Sequence, residues 1–318
     1  MTDLTASAHI RTSRSEAIAF VLMVVCLAIA PAFIYPVFLM KALCFALFAC
    51  AFNLLIGFVG LLSFGHALYF GWASYLTAYS AKAWGLPPEL AILTGVATAA
   101  VFGLIAGALA IRRQGIYFAM ITLALAQMMF LVAVRAPFTG GEDGIQAVPR
   151  GRLFGLIDLS NQTNMYITVV VIFLAGFLLI YRVINSPFGE VLKAIRENEA
   201  RAISLGYKTE RYKLVAFVLS ATIAGLAGGT KAIVLQIASL TDVNWPMSGE
   251  VVLMALVGGL GTVFGPVAGA FVIIAMQNYL AQVGQWVTVI QGVVFVACVL
   301  LFRRGIVGEI AHLLRIKL

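Results

Sequence analysis

Charged side chains are scarce in this sequence of 318 residues. They make up 11% of the chain, whereas hydrophobic residues make up 62%. A water-soluble domain has roughly a quarter of its residues charged, so this chain has too few ionic groups to cover a globular surface. The composition excludes a soluble enzyme, a disordered protein and a nucleic-acid-binding protein. It predicts an all-α polytopic membrane protein.

Motifs that would carry chemistry are also missing. There is no G-x-S-x-G nucleophile elbow and no G-x-x-x-x-G-K-[ST] phosphate-binding loop. The nearest approach to such a loop, at 206–209, has tyrosine between the glycine and the lysine. We therefore expect no catalysis and no cofactor in this chain. The four cysteines lie in apolar runs without CxxC spacing, which favours small core residues over a metal site; they are Cys26, Cys44, Cys50 and Cys298.

Ten apolar stretches are candidates for crossing a bilayer, which takes about 20 helical residues. The first contains a sequence that resembles a signal-peptide cleavage site, but Pro31 follows it directly, and we expect this span to be retained. The stretch 249–262 is short and rich in glycine, which predicts a broken or re-entrant helix. We expect about 8–10 transmembrane helices, drawn from residues 17–35, 39–60, 63–81, 89–111, 115–134, 165–184, 213–237, 249–262, 264–283 and 286–302.

The basic residues predict the orientation of these spans. If the N-terminus lies in the cytoplasm, only five loop lysines and arginines fall outside: Lys41, Lys82, Arg135, Arg150 and Arg152. This asymmetry predicts a cytoplasmic tail at 1–16, a transmembrane domain at 17–302 and a cytoplasmic tail at 303–318. The net charge of +8 then reflects topology.

Two loops are too long to be simple turns. The periplasmic loop 135–164 carries the turn-forming cluster 139–144, and it is either an exposed linker or a docking surface for a partner. The cytoplasmic loop 185–212 predicts two short amphipathic helices. Ser186 and Pro187 form a start signal, Asn198 can cap the second helix, and Gly206 ends it. The expected apolar positions are Val191, Leu192 and Ile195 in the first helix, and Ala200, Ile203 and Leu205 in the second.

The charges of the cytoplasmic loop leave two interpretations open. Its basic residues could attract anionic lipid. Acidic residues alternate with them, which suits a protein partner better.

Polar residues within the spans are candidates for a transport path. Ser63, Gly65 and His66 follow two glycines, so a broken helix end there could offer free N–H groups to a carboxylate. His66 could instead be hydrogen-bonded within the bundle, as could Thr122 and Gln127. The predicted path residues are Ser63, Gly65, His66, Tyr69, Thr122 and Gln127, with Asn53 and Gln277 as further polar candidates.

Ionisable residues are rare in the spans. Lys231 is the one basic residue there, and we expect it to snorkel to the interface, with an anion-attracting vestibule as the alternative. The acidic residues nearest the spans, Glu16, Glu89, Asp242 and Glu250, fall in loops or at span ends, which disfavours an ion-coupled carrier.

Glycines spaced four residues apart predict close helix contacts. Such faces let helices approach each other in lipid. The predicted packing residues are Gly225 with Gly229, Gly103 with Gly107, and Gly261 with Gly265 and Gly269.

An ordered set of motifs resembles the permease subunits of bacterial ABC importers for branched-chain amino acids, of the LivM type. The resemblance covers most of the chain from about residue 53 onward. Its motifs are LSFGHA at 62–67, GIYFAMITL at 115–123, TGG at 139–141 with DG at 143–144, SPFG at 186–189, AIRENEARA at 194–202, Lys213 before AGLAG at 224–228, and GGLGT at 258–262 before Gly265.

The resemblance implies that the cytoplasmic loop inserts into a groove of an ATPase. The implied coupling residues are Glu197, Asn198, Glu199, Ala200, Arg201 and Gly206, and Glu199→Lys should weaken ATPase association without unfolding the spans. The implied partners are a LivH-type permease, two cytoplasmic ABC ATPases that bind ATP and Mg, and a periplasmic binding protein, all at the bacterial inner membrane. The alternative functions are an ion-coupled secondary transporter and a passive channel for small polar solutes such as urea or amides.

Overall fold

The computed structural model describes residues 2–280, 286–301 and 305–313. Each of the ten apolar stretches coincides with a helix, so the prediction of an all-α polytopic fold is confirmed. The tail residues Arg303, Arg304, Arg315 and Lys317 lie outside the described part. The helices are α1 Thr2–Ile29, α2 Pro36–Phe58, α3 His66–Ala83, α4 Pro88–Ala110, α5 Ile116–Arg135, α6 Gln162–Ile184, α7 Pro187–Glu197, α8 Glu199–Ser204, α9 Thr209–Leu235, α10 Leu240–Val243, α11 Trp245–Gly258, α12 Gly265–Tyr279, α13 Trp286–Leu301 and α14 Gly305–Leu313.

The core is formed around α9, against which α2, α3 and α4 all pack, and α3 and α4 also pack against each other. Helices α2 and α9 are buried over most of their length, whereas only about a third of α4, α5 and α6 is buried. Within the described residues, five helices are long and apolar enough to cross a membrane: α2, α4, α5, α6 and α9. An exposed apolar surface of this kind is suited to lipid, and the chain is a multi-pass membrane protein.

Glycines make the closest contacts of the core. A Cβ on Gly225 would lie 2.3 Å from the Cβ of Ala99, and one on Gly228 would lie 2.0 Å from the carbonyl oxygen of Phe70. A Cβ on Gly269 would lie 1.9 Å from the carbonyl oxygen of Met254. The prediction for Gly261 as a helix-packing residue is wrong, because this glycine lies in the turn between α11 and α12 with φ +76°.

The crossing after α9 is broken. The chain leaves α9 at Leu235, forms the single turn α10, and continues at Trp245 as α11, whose 14 residues are only about 21 Å long. The break therefore lies just before the stretch 249–262 for which the sequence predicted it. Helix α11 then forms a tight hairpin with α12, in which Gly258 meets Gly265.

The connections gather at two ends of the bundle. One end, here called the knob end, holds 59–65, 111–115, 185–208 and 259–264. The opposite, loop end holds 84–87, 136–161 and 236–239. There the long loop is attached to the bundle, since β1 (Ile145–Gln146) pairs with β4 (Ile237–Ala238), which follows α9. Within the loop, β2 (Arg152–Leu153) pairs with β3 (Ile157–Asp158). Lys82 also donates to the carbonyl of Gln146 (2.8 Å), so the loop is not a free linker.

Candidate coupling and transport site

Helices α7 and α8 form a compact projection, here called the knob (residues 186–206). The Ser186 side chain accepts a hydrogen bond from the N–H of Gly189, and Asn198 accepts one from Arg201. Pro187 occupies the first turn of α7, and Gly206 adopts φ +90° after α8. Each of these helix signals was predicted from the sequence and is confirmed.

The two helices of the knob bury different amounts of apolar surface. In α7, Leu192 and Ile195 are buried as predicted. In α8 the prediction was wrong, because Ala202 is the buried residue while Ala200, Ile203 and Leu205 are exposed. A helix of six residues is too short to present a continuous apolar stripe to the bundle, so its larger side chains point away from it.

Three large apolar side chains are exposed near the end of α8 and directly after the knob. Ile203 is 55% exposed, Leu205 69% and Tyr207 41%. We call these three residues the tip patch. Several large apolar residues together on a polar loop are typical of a surface that contacts another protein.

Arg196 attaches the knob to the core. Its guanidinium donates a hydrogen bond to the carbonyl of Gly57, in the last turn of α2. The carbonyls of a last turn lack helical partners and lie at the negative end of the helix dipole, so a cation is well placed there. The side chain also passes close to Gly60 and Gly261, leaving no room for a Cβ without displacement.

Asn53 extends this attachment to the α11–α12 turn. Its amide nitrogen donates to the carbonyl of Thr262 (2.9 Å), and its oxygen accepts from the N–H of Gly261 (3.1 Å). The knob, the end of α2 and the α11–α12 hairpin therefore form one connected unit. Such a unit can transmit a displacement of the knob to the helices as a rigid body.

Glu199 forms a second attachment. Its carboxylate accepts from the Lys213 ammonium of α9 (2.5 Å) and from the amide of Gln114 (2.8 Å). Lys213 is buried. A lysine at position 199 would face this buried cation, so Glu199→Lys would detach the knob as well as alter its surface. The sequence could not separate these two effects.

The predicted path residues cluster around the start of α3. His66 is fully buried; its Nε2 lies 2.9 Å from the Ser220 hydroxyl, which itself donates to the carbonyl of Ala51 (2.5 Å). The Ser220 oxygen must therefore accept from His66. Rings of Phe52, Tyr69 and Phe217 meet the imidazole edge-on. These contacts agree with the interpretation of His66 as a histidine bonded within the bundle.

The backbone N–H groups at the start of α3 were expected to be free for a carboxylate, and two of them are not. The N–H of Gly65 donates to Ser63 Oγ (3.3 Å), and that of Ala67 donates to Ser248 Oγ in α11 (2.9 Å). These two donors are occupied rather than free. Thr122 bonds within its own helix and adjoins Gly65, whereas Gln127 lies farther along α5 and is half-buried.

The structure also corrects two statements about ionisable residues. Lys231 does not snorkel, because its ammonium is buried and pairs with the carboxylate of Asp242 (2.5 Å). Asp242, which was expected in a loop or at a span end, is buried in α10 against Gly71 of α3. The sequence argument against ion coupling assumed that no acidic residue lies within the bundle, and Asp242 removes that premise. Its charge is neutralised by the paired Lys231.

Comparison with known proteins gives consistent matches. The model of a family described as "Branched-chain amino acid transport system / permease component" matches residues 34–301. The LivM permease protein of the high-affinity branched-chain amino acid transport system of Salmonella typhimurium is 25% identical over 290 residues, covering 83% of this chain and 68% of that protein. Its Escherichia coli counterpart is 24% identical over 288 residues, with the same coverage. A probable LivH permease of Methanocaldococcus jannaschii is 31% identical over 111 residues, covering 33% of this chain and 32% of that protein. No solved structure matches the chain.

Proposed function

The chain belongs to the family of permease components of branched-chain amino acid transport systems, and from this premise we propose that it is one permease subunit of an ATP-driven importer. The knob is the observation that carries the proposal. It is a capped two-helix element with an apolar tip, attached through Arg196 and Glu199 to α2, to α9 and to the connection 111–115. A passive channel has no need of such a projection.

ATP binding is assigned to other subunits in this proposal. The chain has no phosphate-binding loop, so two cytoplasmic ATPase subunits would bind ATP and Mg and receive the knob. Proteins named LivM and LivH both resemble the chain, which supports pairing with a LivH-type permease. A periplasmic binding protein would deliver substrate at the loop end, with the knob end and both termini in the cytoplasm.

The proposed substrates are leucine, isoleucine and valine. The names of the relatives support this choice. The experiment is uptake of labelled leucine by proteoliposomes that contain the complete complex, with and without ATP. Uptake that requires both ATP and the loaded binding protein supports the importer. Uptake without nucleotide favours a channel or an ion-coupled carrier.

The tip patch leads to a first prediction. Replacing Ile203 and Leu205 by serine removes exposed apolar area without touching the attachments of the knob. The ATPase should therefore dissociate more readily, and we expect at least about thirtyfold weaker association, since central apolar contacts of an interface are worth about 1–2 kcal/mol each and two are removed. Co-purification at increasing dilution measures this.

A matched control is available at the other end of the bundle. Leu156 is 88% exposed in the loop between β2 and β3, and Leu156→Ser should leave ATPase association unchanged. Equal retention of the ATPase by the tip-patch variant and this control would contradict the assignment of the knob.

A further inference from the structure

A buried ion pair lies in the outer part of the core. Lys231 of α9 and Asp242 of α10 are 2.5 Å apart, and their side chains are 6% and 3% exposed. The Asp242 carboxylate also accepts weakly from the N–H of Ser239 (3.3 Å), at the start of α10. Their positions near Leu235, the last residue of α9, place the pair toward the loop end.

Stability alone gives little reason for this pair. Removing two charges from water is costly, and replacing a buried pair by neutral groups of similar shape is often neutral or stabilising. Ionisable residues inside a membrane bundle are therefore more often associated with a transported substrate than with folding.

Polar groups without partners lie nearby. The hydroxyls of Ser74 and Tyr75 in α3 are fully buried and make no hydrogen bond within the described residues. Tyr75 lies one turn along α3 from Gly71, which packs against Asp242 and Val243. An orphaned buried hydroxyl costs free energy, so a donor or acceptor for it is expected at some stage of the transport cycle.

The backbone around the pair is interrupted in the same place. Helix α9 ends at Leu235 with Gln236 in the left-handed conformation, α10 is a single turn, and α11 begins only at Trp245. Interrupted helices inside a membrane bundle are characteristic of substrate sites in transporters, because they bring polar groups to the middle of an apolar region.

We propose that Lys231 and Asp242 bind the two charged ends of an amino acid in transit. Lys231 would bind the α-carboxylate, Asp242 the α-ammonium, and the Tyr75 hydroxyl would donate to the carboxylate. A zwitterion inserted into the pair replaces one ion pair by two, so the charge of the site stays balanced. This inference rests on the proposed function and adds to it the residues that bind the charged groups of the substrate.

The decisive variant is the double substitution Lys231→Met with Asp242→Asn. It removes both charges, keeps the shape of both side chains, and leaves an acceptor at position 242 for the N–H of Ser239. Leucine uptake by the complete reconstituted complex should fall at least about tenfold, since two charge-assisted hydrogen bonds to the substrate are lost. ATP hydrolysis measured on the same proteoliposomes shows whether the variant complex has assembled.

A second variant tests the inference even if the double variant does not fold. Tyr75→Phe removes one hydroxyl and no charge, and uptake should fall about fivefold, as expected for one lost hydrogen bond. Tyr166→Phe is the matched control, because this buried hydroxyl only bonds the carbonyl of Leu27 in α1. Uptake by the control should not change.

The outcomes distinguish a failure of the proposed function from a failure of the inference about Lys231 and Asp242. A wild-type complex without ATP-dependent uptake refutes the proposed function. Where the wild type transports, uptake by the double variant within about twofold of wild type shows that the pair is structural and overturns the inference. If the double variant fails to assemble, uptake by Tyr75→Phe is compared with uptake by Tyr166→Phe. Equal uptake by these two variants overturns the inference.

Discussion

Replacing Arg196 by alanine is expected to separate ATP hydrolysis from transport. The substitution removes the charged hydrogen bond from the knob to the Gly57 carbonyl but leaves the tip patch unchanged. The ATPase should still bind and hydrolyse ATP, while less of the movement reaches α2 and the α11–α12 turn. Uptake should fall about tenfold to a hundredfold, the range for one hydrogen bond to a charged group. Uptake and hydrolysis measured on the same proteoliposomes give the number of ATP molecules consumed per leucine, which should rise accordingly.

Lys193 provides the control for this experiment. It lies on the same helix, and its ion pair with Glu190 (2.8 Å) is largely exposed, so it contributes little. Lys193→Ala should leave the ratio of hydrolysis to uptake unchanged. The proposed route through Arg196 is refuted if both variants transport equally, or if Arg196→Ala loses the ATPase altogether.

Gly228→Ala is expected to lower the stability of the core strongly. The new Cβ would lie 2.0 Å from the carbonyl oxygen of Phe70. A backbone oxygen cannot move aside as a side chain can, so α3 and α9 must separate. Overpacking of this kind costs about 1–3 kcal/mol, and the close contact also supplies much of the attraction between helices in lipid. We expect a lower midpoint of thermal unfolding in detergent.

Gly249→Ala is the matched control. This glycine is also in a helix, but a Cβ there meets no atom within 4 Å. Alanine is favoured over glycine in a helix by about 1 kcal/mol, so the midpoint should stay the same or rise. A Gly228→Ala protein as stable as this control would show that α3 and α9 are less closely packed than described.

The sequence predicted the local features well. Apolar runs placed the helices, and Ser186, Asn198 and Gly206 placed the ends of the knob helices, because caps and left-handed glycines act through neighbouring residues. The resemblance to the permease family was confirmed by the family match over residues 34–301. The predicted roles of Glu197, Arg201 and the other coupling residues stay predictions.

The long-range contacts could not be predicted in the same way. Arg196 and Gly57 are 139 positions apart, and nothing in either local sequence indicates the other. Lys231 was assigned to the interface because the one-turn helix that carries Asp242 has no periodic pattern to reveal it. Gly261 matched the four-residue spacing by coincidence, since spacing alone does not distinguish a helix from the turn before it.

Site-specific photo-crosslinking in the assembled complex tests the central claim most directly. A photoreactive residue placed at 203 or 205 should crosslink to the ATPase subunit, whereas one placed at 156, at the opposite end of the bundle, should not. Intact complexes in which neither 203 nor 205 crosslinks to the ATPase would contradict the assignment of the knob as the element that receives the energy of ATP hydrolysis.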